Sequence, residues 1–284
     1  NSSSQVCKTL ASCIAGLLYS LSKINNKSKA MRKHRFTIVI ATHKRPLLLQ
    51  RALLSLTAQT YKDFFVIIVD DAASFLPPYP ELKKLNGQYA YMIAPNLQGP
   101  GESRDMAVKL ASSDYVMFLD DDDSYQPNHL QNIANQIQGR EEKIYFTNFT
   151  VVNENRQADA WPEKISEQSM SIATAKKEEI FVRNRIPNCS LIYPLNCIQG
   201  ITHDYTMTVY EDWDYLLQCL QKSELQHITT DTVNIHKCKP TDHSNLRRGN
   251  RGSHLALEAT QRVHARYPAP STAVAQARAE LFRH

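Results

Sequence analysis

From Phe36 onward, short apolar segments alternate with helical patterns, and this alternation restricts the possible folds more than any other feature of the chain. Four segments rich in β-branched and aromatic residues predict buried strands: FTIVIA, FFVIIVDD, YAYMIA and YVMFLDDDD. The helices between them begin after turns, the first at Pro46 and a later one over 102–111. The pattern predicts an α/β fold with a mainly parallel, Rossmann-like sheet flanked by helices.

After residue 150 the pattern is less regular. Residues 153–190 are polar and predict irregular structure, whereas EDWDYLLQCLQKS predicts a helix and HITTDTVNIHK a returning strand. In PNHLQNIANQIQG we predict a helix that ends with Gly139 at its C′ position. The Ala-rich tail from 253 predicts helices interrupted at YPAP.

These patterns divide the chain into three expected parts. Residues 36–245 form the main unit, with a regular α/β half over 36–150 and a less regular half over 151–245. Residues 246–284 form a C-terminal helical extension, and residues 1–35 an amphipathic, basic helix with a linker.

The first part has two interpretations: a membrane-surface helix with a polybasic flank, or a helix that packs on the protein itself. Its longest apolar run, LASCIAGLLYSL, is shorter than the roughly 20 residues that a spanning helix needs. Because the chain begins at Asn1, further domains upstream are compatible with the sequence.

The formal net charge is +5, with basic residues concentrated near both ends of the chain. This charge suits an anionic partner, such as a nucleotide sugar or a lipid surface. It lacks the continuous basic stripe of a nucleic-acid-binding protein, so we do not expect nucleic acid as a partner.

Polar residues follow three of the predicted strands: Thr42 to Arg45, Asp70 with Asp71, and Asp120 to Asp123. Open parallel sheets bind ligands at the carboxyl ends of their strands, so we expect these groups to meet. Carboxylates spaced as Asp-x-Asp suit hard cations such as Mg²⁺ and Mn²⁺. A bound cation would also relieve the repulsion among four consecutive aspartates.

The segment FTIVIATHKRPLLLQRALLSLTAQTYKDFFVIIVDDAAS resembles the opening of a family 2 glycosyltransferase, a family with the GT-A fold. The resemblance continues through NLQGPGESRDMAVKLASSDYVMFLDDDD, is fragmentary to about residue 245, and is absent at both ends. Two departures stand out: Ala73 where the family often has Gly, and Asp105 where Asn is usual.

The resemblance implies a nucleotide-sugar site at the strand ends. Thr42 and Arg45 would lie beside the nucleotide, Asp71 would accept a hydrogen bond from uracil with Asp70 beside it, and Arg104 would approach the phosphates. Asp122 would be the principal metal ligand and Asp120 would bind ribose or metal. Asp121 and Asp123 are further candidates of the same site, since DDDD offers two overlapping registers. His236 or His243 would complete the metal site.

The resemblance makes residues 36–245 a catalytic domain, with a nucleotide-binding half over 36–150 and an acceptor-binding half over 151–245 that would supply the catalytic base. VYEDWDYLL resembles the family's Glu-Asp pair at the start of a helix, where the helix dipole favours the ionised carboxylate. The resemblance assigns Asp212 as the base and Glu211 as its neighbour. Asn188, Trp213 and Asp214 are candidate acceptor contacts.

The expected activity is metal-dependent, inverting transfer of a hexose or N-acetylhexosamine from a UDP-sugar to a glycan or lipid-linked acceptor, with Mn²⁺ or Mg²⁺. The expected setting is capsule or lipopolysaccharide synthesis in the cytoplasm, with peripheral contact at the inner membrane. The alternatives are a catalytically silent nucleotide-sugar-binding module of a larger synthase and a sugar nucleotidyltransferase, although IATHKRP lacks that enzyme's Gly-rich loop. A dinucleotide dehydrogenase is excluded because no GxGxxG follows the first strand.

Overall fold

A seven-stranded sheet forms the centre of the computed structural model. The structure describes residues 34–137, 139, 142–157, 160–238 and 253–282. The strands are β1 (Phe36–Thr42), β2 (Phe64–Asp70), β3 (Tyr89–Ile93), β4 (Tyr115–Phe118), β5 (Ser124–Tyr125), β6 (Lys143–Thr147), β7 (Phe149–Gln157), β8 (Ala160–Met170), β9 (Leu191–Pro194), β10 (Glu224–Ile228) and β11 (Val233–Cys238). The helices are α1 (Pro46–Thr57), α2 (Tyr79–Lys84), α3 (Pro100–Val108), α4 (His129–Gln136), α5 (Lys177–Ile180), α6 (Leu195–Ile198), α7 (Glu211–Leu220), α8 (Ser253–Arg266) and α9 (Thr272–Leu281).

The central sheet has the strand order β10-β6-β9-β4-β1-β2-β3. It is mainly parallel, as the sequence predicts. β1 pairs in parallel with β2 and β4, and β2 with β3, whereas β9 runs antiparallel between β4 and β6. Nearly every residue of β1 and β2 is buried, because helices cover the sheet. Thr42 pairs with Asp70 in register, so the polar residues that follow β1 and β2 emerge side by side.

A second sheet, with the order β5-β11-β7-β8, lies within the region predicted to be irregular. The prediction for 153–190 was therefore wrong over the long β7–β8 hairpin. Alternate residues of β7 are buried, but Glu154 and Arg156 occupy two of the inward positions, so burial alternates without alternating hydrophobicity. The predicted returning strand is also two strands, β10 in the central sheet and β11 in the second.

Two helix boundaries differ from prediction. α3 begins at Pro100 rather than at residue 102, with proline in its first turn. α4 ends at Gln136, and Ile137 is extended and buried, so the chain leaves the helix before Gly139. Gly139 does adopt a left-handed conformation, with a φ of 83°. However, it is not the C′ residue that we predicted, because α4 ends earlier, at Gln136.

The C-terminal helices α8 and α9 flank YPAP, as predicted, and pack near α7. Arg266 of α8 pairs with Asp204 at 2.6 Å and with Asp214 of α7 at 2.7 Å. The Arg278 guanidinium of α9 donates to the carbonyl oxygens of Phe181 and Tyr267. These contacts tie the tail to the helix that carries Glu211 and Asp212.

Two sequence-based expectations lie outside the described residues: the N-terminal amphipathic helix before residue 34, and His243. Over the residues that are described, we find that every helix is too short or too polar to cross a bilayer.

Candidate active site

A cleft of about 270 Å³ opens where β1 and β4 end, and it combines residues from five separate segments of the chain. The charged and amide side chains that line it are Arg45, Arg104, Asp120, Asp121, Asp122, Asn184, Glu211 and Asp212. Seven of these eight were predicted from the sequence as nucleotide, metal or catalytic residues, and Asn184 is the exception.

The acidic loop turns sharply after β4. The Leu119 amide still donates to Val39 of β1, and the Asp123 amide then donates to the Asp120 carbonyl at 3.0 Å. This turn brings carboxylate oxygens of Asp120, Asp122 and Asp123 within 4.8 Å of one another. Three oxygen donors at this spacing fit a Mg²⁺ or Mn²⁺ ion, with Asp123 joining the two predicted ligands.

Arginines and a hydroxyl group already offset much of the repulsion in this loop. Asp121 accepts a hydrogen bond from the Thr42 hydroxyl at 2.8 Å and pairs with Arg45 at 2.5 Å. Burial raises the pKa of Asp121 to about 6, against the opposing effect of Arg45. Asp120 pairs with Arg104 at 2.8 Å. Fixed cations therefore share with any bound metal ion the role of relieving the repulsion among the aspartates.

A buried ion-pair network attaches the second sheet to the acidic loop. Arg156, only 1% exposed, contacts Glu154 at 2.5 Å and Asp122 at 3.2 Å. Arg51 of α1 joins Glu154 at 2.7 Å and donates to the Asp122 carbonyl at 2.5 Å. Although burial alone would raise it, the pKa of Glu154 falls to about 2 because His236, Arg51 and Arg156 stabilise the carboxylate. Sequence reasoning missed this network.

His236 lies behind the three carboxylates rather than among them. Its Nδ1 lies 2.9 Å from Glu154 and its Nε2 lies 2.9 Å from the Ser124 hydroxyl, so both ring nitrogens have protein partners. Its backbone amide donates to Asp123 at 2.9 Å. The structure shows His236 in contact with Asp123 through its backbone amide, and the ring as a metal ligand stays a prediction.

Arg104 bridges the acidic loop and α7. One guanidinium nitrogen lies 2.8 Å from Asp120 and another 3.0 Å from Glu211. Burial lowers the pKa of Arg104, but the surrounding carboxylates raise it further, so the net direction is upward and the side chain stays charged.

Asp212 faces the cleft from the first turn of α7. Its Oδ1 accepts the Trp213 amide at 2.8 Å and lies 3.5 Å from the amide nitrogen of Asn184. Burial and the adjacent Glu211 raise its pKa to about 7, with Arg104 acting in the opposite direction. Burial thus outweighs the helix dipole, which was expected to favour the ionised form. Asn184 is a cleft residue that sequence reasoning missed, although it lies four residues before the predicted acceptor residue Asn188.

The three predicted acceptor residues lie outside the lining of this cleft. Trp213 is buried and donates through Nε1 to the Ile180 carbonyl at 2.7 Å. Asp214 is buried against Arg266, and Asn188 is buried in a 3₁₀ turn. Successive helical residues turn by about 100°, so α7 presents Glu211 and Asp212 to the cleft and turns the next two inward.

Asp70 and Asp71 lie at the end of β2, outside the lining of the same cleft. Asp70 accepts the backbone amides of Ala72 and Ala73 at 3.0 and 3.1 Å and the Tyr91 hydroxyl at 3.0 Å. Asp71 contacts the His43 ring. Ala73 has a φ of 51°, a conformation that glycine adopts readily, which explains why glycine is common at this position in the family pattern.

Asp105 of α3 holds the segment that leads into α7. Its carboxylate accepts the His203 amide at 2.8 Å and the Tyr205 hydroxyl at 2.9 Å, and it contacts His203 Nδ1 at 2.6 Å. Two carboxylate oxygens receive these three groups, whereas an asparagine offers a single acceptor oxygen. The departure from asparagine is thus matched by local hydrogen bonding.

We expect Gly101→Ala to reduce both stability and turnover. A Cβ at this position would lie 2.8 Å from the His203 Cβ, so α3 and the segment leading to α7 must separate. Overpacking of this kind costs about 1–3 kcal/mol, which urea unfolding would measure. Gly87→Ala is the control: its φ of 79° gives a comparable stability loss, in open space away from the cleft. Equal kcat values for the two variants would contradict a role for this contact in positioning α7.

The mainly parallel sheet, the second small sheet and the acidic loop at the strand ends define a protein of the GT-A fold class. Residues 37–194 match glycosyl transferase family 2, which is more than half of the chain. The chain therefore belongs to this family.

Two of the named relatives are a bacterial polysaccharide-biosynthesis protein and a bacterial glucosyltransferase. The chain is 35% identical over 126 residues to the succinoglycan biosynthesis protein ExoW of Rhizobium meliloti, covering 41% of this chain and 38% of that protein. It is 32% identical over 92 residues to the GalNAc(5)-diNAcBac-PP-undecaprenol beta-1,3-glucosyltransferase of Campylobacter jejuni, covering 31% of this chain and 30% of that protein. Each match spans less than half of the relative's length.

Among solved structures, S. aureus TarS 1-349 in complex with UDP-GlcNAc superposes with a TM-score of 0.62 at 17% identity, over 87% of this chain and 71% of that one. The mannosyltransferase PcManGT from Pyrobaculum calidifontis, in complex with GDP-Man and Mn²⁺, gives a TM-score of 0.56 at 15% identity, over 97% and 80%. At these identities the likeness shows the shared fold.

Proposed function

We propose that this protein transfers a sugar from a nucleotide-diphospho sugar to a hydroxyl group of a glycan or lipid-linked acceptor in surface-polysaccharide synthesis. The observation that carries the proposal is the arrangement of charges at the cleft. Arg104 pairs both with Asp120, one of three clustered carboxylates, and with Glu211, the neighbour of Asp212. Such a cleft can hold a charged diphosphate and a hydroxyl nucleophile next to each other.

The donor in this proposal is a UDP-hexose or UDP-N-acetylhexosamine. Support comes from the superposition with TarS, whose structure contains UDP-GlcNAc. PcManGT holds GDP-Man instead, so a panel of UDP- and GDP-sugars is the direct test of the base. Thr42, Arg45, Asp70 and Asp71 are the proposed surroundings of the nucleotide.

Asp120, Asp122 and Asp123 are the proposed ligands of a Mn²⁺ or Mg²⁺ ion. When bound, such an ion neutralises charge on the diphosphate as it leaves. Arg45 and Arg104 supply positive charge within the same cleft, so they would orient the phosphates.

Asp212 is the proposed base. The acceptor hydroxyl oxygen attacks the anomeric carbon from the face opposite the diphosphate and passes its proton to the Asp212 carboxylate. The new C–O bond forms as the bond to the diphosphate breaks, and the nucleoside diphosphate leaves with the electron pair. Attack from the opposite face inverts the anomeric configuration. A pKa of about 7 suits a base that works near neutral pH.

The proposed acceptor is lipid-linked. Support comes from the Campylobacter relative, whose name specifies a glycan linked to undecaprenol. In this proposal residues 36–150 bind the nucleotide, 151–245 contribute the base and acceptor side, and 246–284 support α7. The chain would act at the cytoplasmic face of the inner membrane.

We expect UDP to bind with Mn²⁺ and to lose most of its affinity in EDTA. Asp122→Ala should abolish the metal-dependent part, since it removes one of three oxygen ligands. Isothermal calorimetry on the wild type and the variant tests this. Asp120→Ala gives a second variant at a less buried ligand, and Glu163→Ala, an exposed carboxylate on β8, is the control.

UDP binding that is indifferent to metal and to both variants would remove the acidic loop from the mechanism. Metal-dependent binding without release of UDP from any sugar donor would identify the chain as a silent binding module instead.

A further inference from the structure

A concentrated apolar and basic surface lies outside the cleft, in the segment between β2 and β3. Phe75, Leu76 and Tyr79 are 53%, 84% and 61% exposed. Together with Ile93 at the end of β3, they make up four of the ten large hydrophobic side chains that are strongly exposed in the described part of the chain. Single exposed apolar residues are ordinary, but a cluster of this kind marks an interaction site.

The charged residues of this segment are basic wherever they are exposed. Lys83 and Lys84 extend into solvent from α2, and Tyr79 and Lys83 share a helix face at i, i+4 spacing. Glu81 is the one acidic residue between Ala72 and Asn96, and it is buried, where it accepts a hydrogen bond from Gln50 at 3.0 Å. We call the exposed side chains of Phe75, Leu76, Tyr79, Lys83 and Lys84 the Phe75–Lys84 surface.

The start of this surface lies at the same edge of the sheet as the cleft, because Phe75 and Leu76 follow the carboxyl end of β2. Ile93 pairs in register with Asp70, and Asp70 pairs with Thr42, whose hydroxyl donates to Asp121 in the cleft. A partner at this surface would therefore lie beside the ends of the strands that carry the acidic loop.

We propose that the Phe75–Lys84 surface docks onto an anionic phospholipid bilayer. Exposed aromatic and aliphatic side chains insert at the boundary between headgroups and acyl chains, and flanking lysines pair with acidic headgroups. Charge complementarity favours this partner, because every exposed charge of the surface is positive. The consequence, that the cleft edge meets a lipid-linked acceptor, rests on the proposed function.

Vesicle flotation with the full chain tests the proposal, using phosphatidylcholine vesicles with and without phosphatidylglycerol. Binding should require phosphatidylglycerol and weaken with salt. Each lysine near an anionic surface contributes about fivefold in affinity, so Lys83→Gln/Lys84→Gln should weaken binding at least about tenfold. Phe75→Ser/Leu76→Ser should weaken it at least as much, through lost apolar burial.

The control is Trp161→Ser/Ile165→Ser, which removes two exposed apolar residues from β8 and should leave vesicle binding unchanged. All variants keep residues 1–33, so differences between them report on this surface. Equal binding by wild type and both surface variants would overturn the proposal. So would a change from dimer to monomer on light scattering without any effect on vesicles, since the surface would then bind a second copy.

UDP calorimetry on the same variants separates this inference from the proposed function. We expect metal-dependent UDP binding to persist in the surface variants. If the wild type binds neither UDP nor GDP but still binds vesicles, sugar transfer is refuted while the docking surface stays in place.

Discussion

Asp212→Asn should lower kcat by a factor on the order of a hundred to ten thousand while metal-dependent UDP binding persists. The amide keeps the size of the side chain and its position at the start of α7, but it cannot accept the acceptor proton. UDP release from a sugar donor, measured at saturating donor and acceptor, gives kcat. Asp231→Asn, at an exposed aspartate between β10 and β11, is the matched control and should retain full activity.

The pH profile sharpens this prediction. The ionised form of Asp212 is the active base, so the wild-type rate should fall about tenfold per pH unit below about 7. The residual rate of the Asp212→Asn variant should lack that limb. A wild-type profile that is flat between pH 5 and 7 would assign the base to another group.

As the pH rises from about 4 to about 7, the free energy of unfolding should fall while the activity increases. The folded-state pKa of Asp212 is raised, so folding takes up a proton between the unfolded pKa of about 4 and the folded pKa of about 7, and stability falls as pH rises through this range. Asparagine is neutral throughout and removes that penalty. The Asp212→Asn variant should therefore unfold at the same or a higher temperature at pH 7, which excludes misfolding as the reason for lost turnover.

Arg156→Met should destabilise the protein by about 3–5 kcal/mol, the largest stability effect that we expect. The change strands the Glu154 and Asp122 carboxylates in a buried setting, because Arg156 contacts both of them and donates to the His236 carbonyl at 3.0 Å. Urea unfolding at pH 7 measures the loss. UDP affinity in Mn²⁺ should fall as well, since Asp122 loses a partner that positions it.

Lys164→Met provides the comparison for this variant. Lys164 pairs with Glu167 at 2.6 Å, but both side chains are more than half exposed, so the pair should contribute less than about 1 kcal/mol. If the two methionine variants are equally stable, the network does not anchor the acidic loop in the way that its geometry indicates.

The sequence predicted those parts of the molecule in which an apolar run is followed directly by polar or acidic residues. β1, β2 and β4 are continuous apolar runs that end in acids or in Thr42, so both the sheet and the position of the cleft could be read from the chain. Arg104 and Asp212 were predicted through the family resemblance, because isolated charged residues carry no positional signal of their own.

The missed features share a physical cause: polar residues that are buried because they satisfy one another. Glu154 and Arg156 made β7 look like a polar loop, and the pairing that hides them from water depends on Arg51 and Asp122, which are distant in sequence. Trp213 and Asp214 were assigned to the acceptor by their proximity in sequence to Asp212. Their orientation depends on α8, which supplies Arg266 to cover Asp214.

The position of β9 has a consequence for synthesis of the chain on the ribosome. β9, Leu191–Pro194, inserts between β4 and β6, both of which are translated earlier. Until residue 194 has emerged, the nascent chain carries two apolar strands with open edges, which are templates for intermolecular pairing. Fragments that stop before β9 should therefore aggregate on expression. During translation, this protein should depend on chaperones that shield the open strand edges until β9 has been synthesised.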